Sequence, residues 1–145
     1  MTLKDVDKLL EGFGSWFKSQ CRVSKIPRKD GNDIFEITVP FLDRLNDFFA
    51  IYIQFDKEGK EIRITDQGYI SSNLDMCGTE VLPKEIEDII GGFGFGVSYK
   101  DPEIVAVTDS AGFYTTLIAF VQAMTVLDHL AVTKDYSEHI AQNKE

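Results

Sequence analysis

The chain has 145 residues, of which 43% are hydrophobic and 12% aromatic, so it is long enough and apolar enough to bury one domain core. Acidic residues outnumber basic ones 24 to 15, which gives a net charge of −9 at pH 7. This balance argues against direct binding of nucleic acid, because phosphate recognition depends on clustered Lys and Arg.

The N-terminal segment is predicted to be an amphipathic helix. Thr2 and Asp5 have the spacing of a capping box. The apolar residues that follow recur at helical offsets and form one stripe: Val6, Leu9, Leu10, Phe13 and Phe17. Residues 22–33 come next, and their basic side chains with Pro27 and Gly31 favour a loop or an irregular first strand.

The middle of the chain is predicted to form three strands. Apolar and polar residues alternate in three stretches, at residues 35–41, 48–55 and 61–65. The sequence DKEG at residues 56–59 separates the second and third strands by a hairpin-length turn. These stretches therefore indicate antiparallel strands with one covered face.

A helical segment, two further strands and a long helix are predicted to follow. Ser71 or Ser72 can cap a short helix that ends at Gly78, and Pro83 suits the first turn of another helix. Asp109 or Ser110 is the candidate cap of the last helix. The remaining elements are two strands and this helix, at residues 96–99, 103–108 and 111–131.

The element order α-βββ-α-ββ-α predicts an α+β fold of two layers, with an antiparallel sheet and the long C-terminal helix packed on it. Residues 1–131 are expected to form a single domain, and residues 132–145 a polar C-terminal tail. In topology and length the chain is similar to the small acidic chaperones of type III secretion. Those chaperones are homodimers that bind extended effector segments, although no sequence motif is shared.

The last helix is apolar on more sides than one sheet can cover. The face predicted to cover the sheet contains Phe113, Leu117, Phe120, Val121, Met124 and Leu127. Tyr114, Ile118 and Val126 are apolar on the other sides of this helix. Because an all-round apolar helix needs more than one partner, we expect these three residues to form a homodimer interface.

The sequence favours a cytoplasmic location without a membrane span. The N-terminus lacks the basic-then-apolar layout of a signal peptide. The uncharged run from Ser110 to Leu127 lacks flanking Lys or Arg and contains polar residues, so it is interpreted as a buried helix. Cys21 and Cys77 lie in no CxxC motif and are expected to be free thiols, and no metal or other cofactor is predicted.

Three acidic residues near predicted strand ends are candidates for chemistry. Asp43 and Asp47 lie in PFLDRLND at residues 40–47, and Asp66 lies in RITDQGY at residues 63–69. A metal-dependent hydrolase or nuclease would need these three carboxylates to converge on one cation. The alternative is that they hold turns, because Asp accepts backbone amide bonds and a following Gly supplies positive φ.

On the turn interpretation, Asp66 holds its own turn and contacts Arg44.

The chain resembles a domain-of-unknown-function family, numbered eighteen-twenty-eight, that is common in prophage and mobile-element proteins. The resemblance lies in the segments ITVPFLDRLND, RITDQGYI and NLDMCG. The family has no assigned activity. Gln67 stands where the family pattern has a second Asp, which weakens a two-acid metal site at this turn. The resemblance implies a phage or mobile-element context and one structural or functional unit formed by Asp43, Arg44, Asp47, Asp66, Gly68 and Tyr69.

Taken together, these features lead us to expect a non-enzymatic, dimeric and acidic protein-binding module. It would bind an unidentified protein or peptide through a sheet face, a strand edge or the apolar last helix. In a phage setting, an acidic surface that replaces nucleic-acid phosphate could inhibit a host defence or nuclease system. The alternative function is a metal-dependent hydrolase or nuclease that uses Asp43, Asp47 and Asp66.

Overall fold

The computed structural model of the protein describes residues 1–134 and residue 143. The helices are α1 Leu3–Glu11, α2 Phe13–Gln20, α3 Tyr69–Met76, α4 Pro83–Gly91 and α5 Phe113–Asp128. The strands are β1 Arg22–Ile26, β2 Ile34–Leu42, β3 Phe48–Phe55, β4 Ile62–Thr65, β5 Val97–Lys100 and β6 Glu103–Thr108. Apart from residues 132–134, which are helical, and residue 143, the predicted C-terminal tail lies outside the described residues.

The strands form one open antiparallel sheet in the order β1-β2-β3-β4-β6-β5. The α+β class and the antiparallel sheet are therefore confirmed. The basic stretch that follows α2 begins with a true strand, because Arg22 pairs with Thr38 of β2. This strand lies at one edge of the sheet and is exposed along its whole length.

One face of the sheet carries the core. The register sets Ile37 opposite Ile51 and Ile53 opposite Ile64, so the alternating apolar residues of β2, β3 and β4 point to the same side. The predicted covering face of α5 is buried from Leu117 onward, and Phe113 is partly buried. Each fully buried aliphatic or aromatic side chain of this layer stabilises the fold by roughly 1.5–3 kcal/mol.

Two helices begin at residues other than the predicted caps. The first residue of α3 is Tyr69, and Gly68 is its N-cap, so Ser71 lies inside the helix. The first residue of α5 is Phe113, with Gly112 as N-cap. Asp109 still assists from outside the helix, because its Oδ1 accepts a hydrogen bond from the Gly112 amide at 2.9 Å.

The N-terminal helix is divided at Gly12 into α1 and α2. Neither of the two helices contains a buried residue. The ring of Phe17 contacts that of Phe41 on β2, with centroids 6.0 Å apart. The predicted apolar stripe is thus present, but most of its surface faces solvent.

The last helix resembles a membrane-spanning helix in its length and apolar composition. The helical stretch Phe113–Lys134 is long and apolar enough to cross a membrane by length and composition. In this fold, 56% of the most apolar 18-residue stretch of this helix is buried inside the protein. The core helix of a soluble domain, which is mostly buried, passes the same test.

Candidate functional site

The turn between β2 and β3 is built around Asp43. Its Oδ1 accepts hydrogen bonds from the amides of Leu45 and Asp47, at 2.8 and 2.9 Å. Asn46 completes the turn in the left-handed region with a φ of 64°, which Asn tolerates better than most residues. Because both bonds satisfy backbone donors of a tight turn, the buried carboxylate of Asp43 acts in folding.

Arg44 forms a buried ion pair with the end of α5. Its Nη1 lies 2.6 Å from Asp128 Oδ1, and its backbone amide donates to Asp128 Oδ2 at 2.7 Å. The second guanidinium nitrogen donates to the Sγ of Cys77, just after α3. The expected contact between Arg44 and Asp66 is therefore wrong, because Arg44 is held by Asp128 and joins the β2–β3 turn to α3 and α5.

Asp66 is fully buried and holds the connection between β4 and α3. Its Oδ1 accepts from the amides of Gly68 and Ile104, both at 2.9 Å, and its Oδ2 accepts from the amide of Ile70 at 3.1 Å. Burial raises the pKa of Asp66 above its ordinary value, although the three amide donors oppose that shift. The carboxylate thus caps α3 from outside the helix and ties it to β6.

Gly68 and Tyr69 are the other two residues that the family resemblance named, and both lie at the start of α3. The φ of Gly68 is 78°, in the left-handed region that Gly adopts without a steric penalty. The Tyr69 hydroxyl donates to Asp43 Oδ2 at 3.3 Å. Burial, followed by the charge of Asp43, raises the pKa of Tyr69, so the phenol keeps its proton for this bond.

The carboxylates named for a hydrolase do not form a metal centre. Asp43 and Asp66 are occupied by backbone amides, whereas Asp47 is exposed. Among residues 1–134 and 143, no group of three or more His, Cys, Asp and Glu side chains is placed to hold a metal ion. The geometry gives the hydrolase interpretation no support.

One protein-family model matches the region that holds most of these residues. The family model described as "Domain of unknown function DUF1828" matches residues 39–127, more than half of the chain. The chain belongs to the DUF1828 family. The match includes both turns of the motif and ends one residue before Asp128. Searches of curated proteins and of solved structures found no significant match.

The chain contains an acidic cavity of 500 Å³ between α3, α4 and the β5–β6 hairpin. Its wall carries a hydrogen-bonded row: the hydroxyls of Ser71 and Tyr99 are 2.9 Å apart, and Tyr99 donates to Asp101 Oδ1 at 3.0 Å. Asp75 also lines this cavity, and its floor includes Leu74 and Ile86. No Lys, Arg or His is among the described residues that line it.

A second concavity, the apolar groove, lies where strands β1, β2 and β3 face the start of α5. It measures 410 Å³ and is lined chiefly by Val23, Phe35, Ile37, Phe55, Phe113 and Tyr114. The three residues named for a dimer interface are all exposed: 76% for Tyr114, 45% for Ile118 and 43% for Val126. They are therefore available to a partner, and Tyr114 belongs to the groove itself.

Sequence reasoning missed Asp128 and the Ser71–Tyr99–Asp101 row. A signal for Asp128 was present, since it ends an uncharged run of a helix, and a buried charge must be paired. The row had no such signal, because its members come from α3 and from the β5–β6 hairpin, and only the fold brings them together.

Proposed function

We propose that this DUF1828 protein is a non-enzymatic, acidic protein-binding module that acts as a cytoplasmic homodimer. We place it in a phage or mobile-element setting, where it inhibits a host defence or nuclease system by replacing nucleic-acid phosphate with carboxylates. The observation that carries this proposal is the acidic cavity, which combines two carboxylates and four hydroxyl-bearing residues with an apolar floor and lacks a basic residue among its described lining.

The charge around the acidic cavity favours a cationic partner group. The segment from Asp75 to Asp88 contains five acidic residues and one basic residue, Lys84. Lys84 pairs with Asp88, and Lys134 from outside the segment pairs with Glu85, which leaves an excess of acidic groups. Charges of one sign in a concave site focus the electrostatic field and raise the local concentration of opposite charge. The Lys or Arg side chain of a partner can place its charged head at Asp75 and Asp101 and its aliphatic stem on Leu74.

Proteins that bind nucleic acid present such side chains in rows, because each neutralises a phosphate. An acidic surface therefore suits the binding surface of a nuclease or other DNA-binding protein. The likeness to type III secretion chaperones in topology and size agrees with binding of an extended segment. The proposal places that segment along the acidic surface of α3 and α4.

The proposal is tested with a fluorescent arginine-rich peptide titrated against the protein and followed by anisotropy. Raising the salt concentration from about 0.05 M to about 0.3 M is expected to weaken binding about tenfold or more, because the association is led by charge. The double variant Asp75→Asn/Asp101→Asn is expected to weaken binding about tenfold at low salt, since two pairing sites are lost.

The matched control is Glu58→Gln/Glu61→Gln, which removes two exposed acids from the β3–β4 turn and changes the net charge equally. We expect this control to bind nearly as tightly as the wild type. Equal weakening by both double variants would show that net charge alone attracts the peptide and would overturn the acidic cavity as the binding site. Affinity that stays flat across the salt range would overturn charge-led binding altogether.

A further inference from the structure

The N-terminal helix pair, residues Leu3–Gln20, exposes more large apolar side chains than a free surface helix needs. The exposed fractions are 84% for Leu3, 72% for Leu9 and 63% for Leu10. Phe13 and Trp16 continue this surface on α2, at 57% and 53%. Contiguous exposed apolar surface of this kind marks an interaction site.

The apolar groove has the complementary character. Its lining contains Phe, Ile, Val and Tyr side chains and a single polar residue, Ser110, among the described residues. The 410 Å³ volume has room for several aliphatic side chains. One chain therefore carries both an unpartnered apolar helix pair and an unpartnered apolar groove.

The helix pair does not fill the groove of its own chain. None of residues 1–20 lines the groove. The contact between Phe17 and Phe41 holds α2 at the far end of β2 from Phe35, and Cys21 alone connects α2 to β1. The helix pair thus leaves open the groove of its own chain that its composition fits.

We infer that the helix pair of one copy docks its apolar face in the apolar groove of a second copy, in a reciprocal homodimer. This inference rests on the dimeric form proposed above and specifies its interface. Six apolar side chains per helix pair, at about 100 Å² each, bury about 1,200 Å² over two equivalent contacts before any surface of the groove is added. That area reaches the size of a standard specific protein–protein interface.

The exposed ridge of α5 gives the two copies a contact on the symmetry axis. Tyr114, Ile118 and Val126 lie on one i, i+4 row, with Gln122 between the last two. Rows of this spacing interdigitate when two helices cross at about −50°. Of the residues first named for a dimer interface, Tyr114 lines the groove, whereas Ile118 and Val126 continue the ridge away from it.

The inference is tested by sedimentation equilibrium of variants whose changed side chains are exposed in the single chain, so the fold is preserved. Leu9→Gln/Leu10→Gln removes the apolar face of α1, and Tyr114→Gln opens the groove. The matched controls are Lys8→Gln/Glu11→Gln, which leaves the net charge unchanged, and Thr115→Gln. We expect a wild-type dimer of twice 16.4 kDa, a dissociation constant raised at least about tenfold in both test variants, and no change in the controls.

Mixing the two test variants separates the reciprocal arrangement from other dimers. A mixed dimer places the intact helix pair of the Tyr114→Gln chain in the intact groove of the Leu9→Gln/Leu10→Gln chain. One of its two contacts is thus fully restored, while the other carries both changes. Because either change alone is expected to abolish its contact, the second change there costs little more, and the mixture is expected to contain more dimer than either variant alone at the same total concentration. A mixture with no such gain would overturn the inference.

The remaining outcomes are also distinguishable. A Leu9→Gln/Leu10→Gln chain that dimerises like the wild type would overturn helix docking but leave a dimer through α5. A wild type that stays at 16.4 kDa would overturn both the inference and the proposed dimer, and peptide binding would then be judged separately. A monomeric wild type that floats with phosphatidylcholine vesicles would assign the helix pair to a lipid surface instead.

Discussion

Replacing Asp66 by Ala is expected to destabilise the fold strongly. The change removes three hydrogen bonds at once, those from the buried amides of Gly68, Ile70 and Ile104. A buried donor left without a partner costs about 1–3 kcal/mol, so the three together cost about 3–6 kcal/mol when partial rearrangement is allowed. Since domains of this size have a free energy of unfolding of about 5–15 kcal/mol, the variant is expected to be near its limit of stability.

The assay is urea unfolding followed by far-ultraviolet circular dichroism. Asp66→Asn keeps the oxygen that accepts two of the bonds, so its cost is expected to be smaller, about 1–3 kcal/mol. Asp47→Ala is the matched control, because this acid of the same motif is exposed and its loss is expected to change stability by less than about 0.5 kcal/mol. If Asp66→Ala and Asp47→Ala unfold at the same urea concentration as the wild type, the structural role given to Asp66 is refuted.

Three further predictions concern the same region. The Asp128→Ala variant is expected to lose about 3–5 kcal/mol of unfolding free energy, because the Arg44 guanidinium stays buried without its carboxylate partner. The double variant Asp128→Ala/Arg44→Met is expected to be less destabilised. A double-mutant cycle measured by urea unfolding tests this difference. Gly68→Ala is expected to cost about 1–2 kcal/mol in the same assay, because Ala is strained at a φ of 78°. Tyr69→Phe is expected to cost about 0.5–1.5 kcal/mol, the contribution of one hydrogen bond.

Each of these has a result that contradicts it. A double variant as unstable as Asp128→Ala would show that the unpaired charge of Arg44 is not the source of the loss. Gly14→Ala is the control for Gly68→Ala, because Gly14 lies in α2 with open space around its Cα and should tolerate the change. Equal behaviour of the two glycine variants would remove the backbone argument, and an unchanged Tyr69→Phe would show that its bond to the β2–β3 turn contributes nothing.

Most of the architecture could be predicted from the sequence because its signals are local. Period-2 alternation marked β2, β3 and β4, and DKEG marked the turn between two of them. The starts of α3 and α5 were less predictable, since Asp66 and Asp109 act on the helix amides from outside the helices. The basic charges of β1 obscured its strand character, which depends on pairing with β2.

The contacts of the motif required the fold. Arg44 and Asp128 are 84 residues apart, and nothing in the motif itself points from one to the other. The position of Asp66 suggested Arg44 as its neighbour, but backbone amides saturate its carboxylate first. Likewise, periodicity identified the apolar face of the N-terminal helix. A repeat pattern carries no information on the surface that covers this face.

The account is tested most directly by nitrogen–proton correlation NMR during titration with the arginine-rich peptide. If the DUF1828 fold binds a basic partner at its acidic cavity, shift changes will concentrate on the amides of Ser71 to Asp75 and of Tyr99 to Asp101, and they will shrink as salt is added. Shift changes that instead spread evenly over the acidic surface, or that fall on the β3–β4 turn around Glu58, would contradict the central claim.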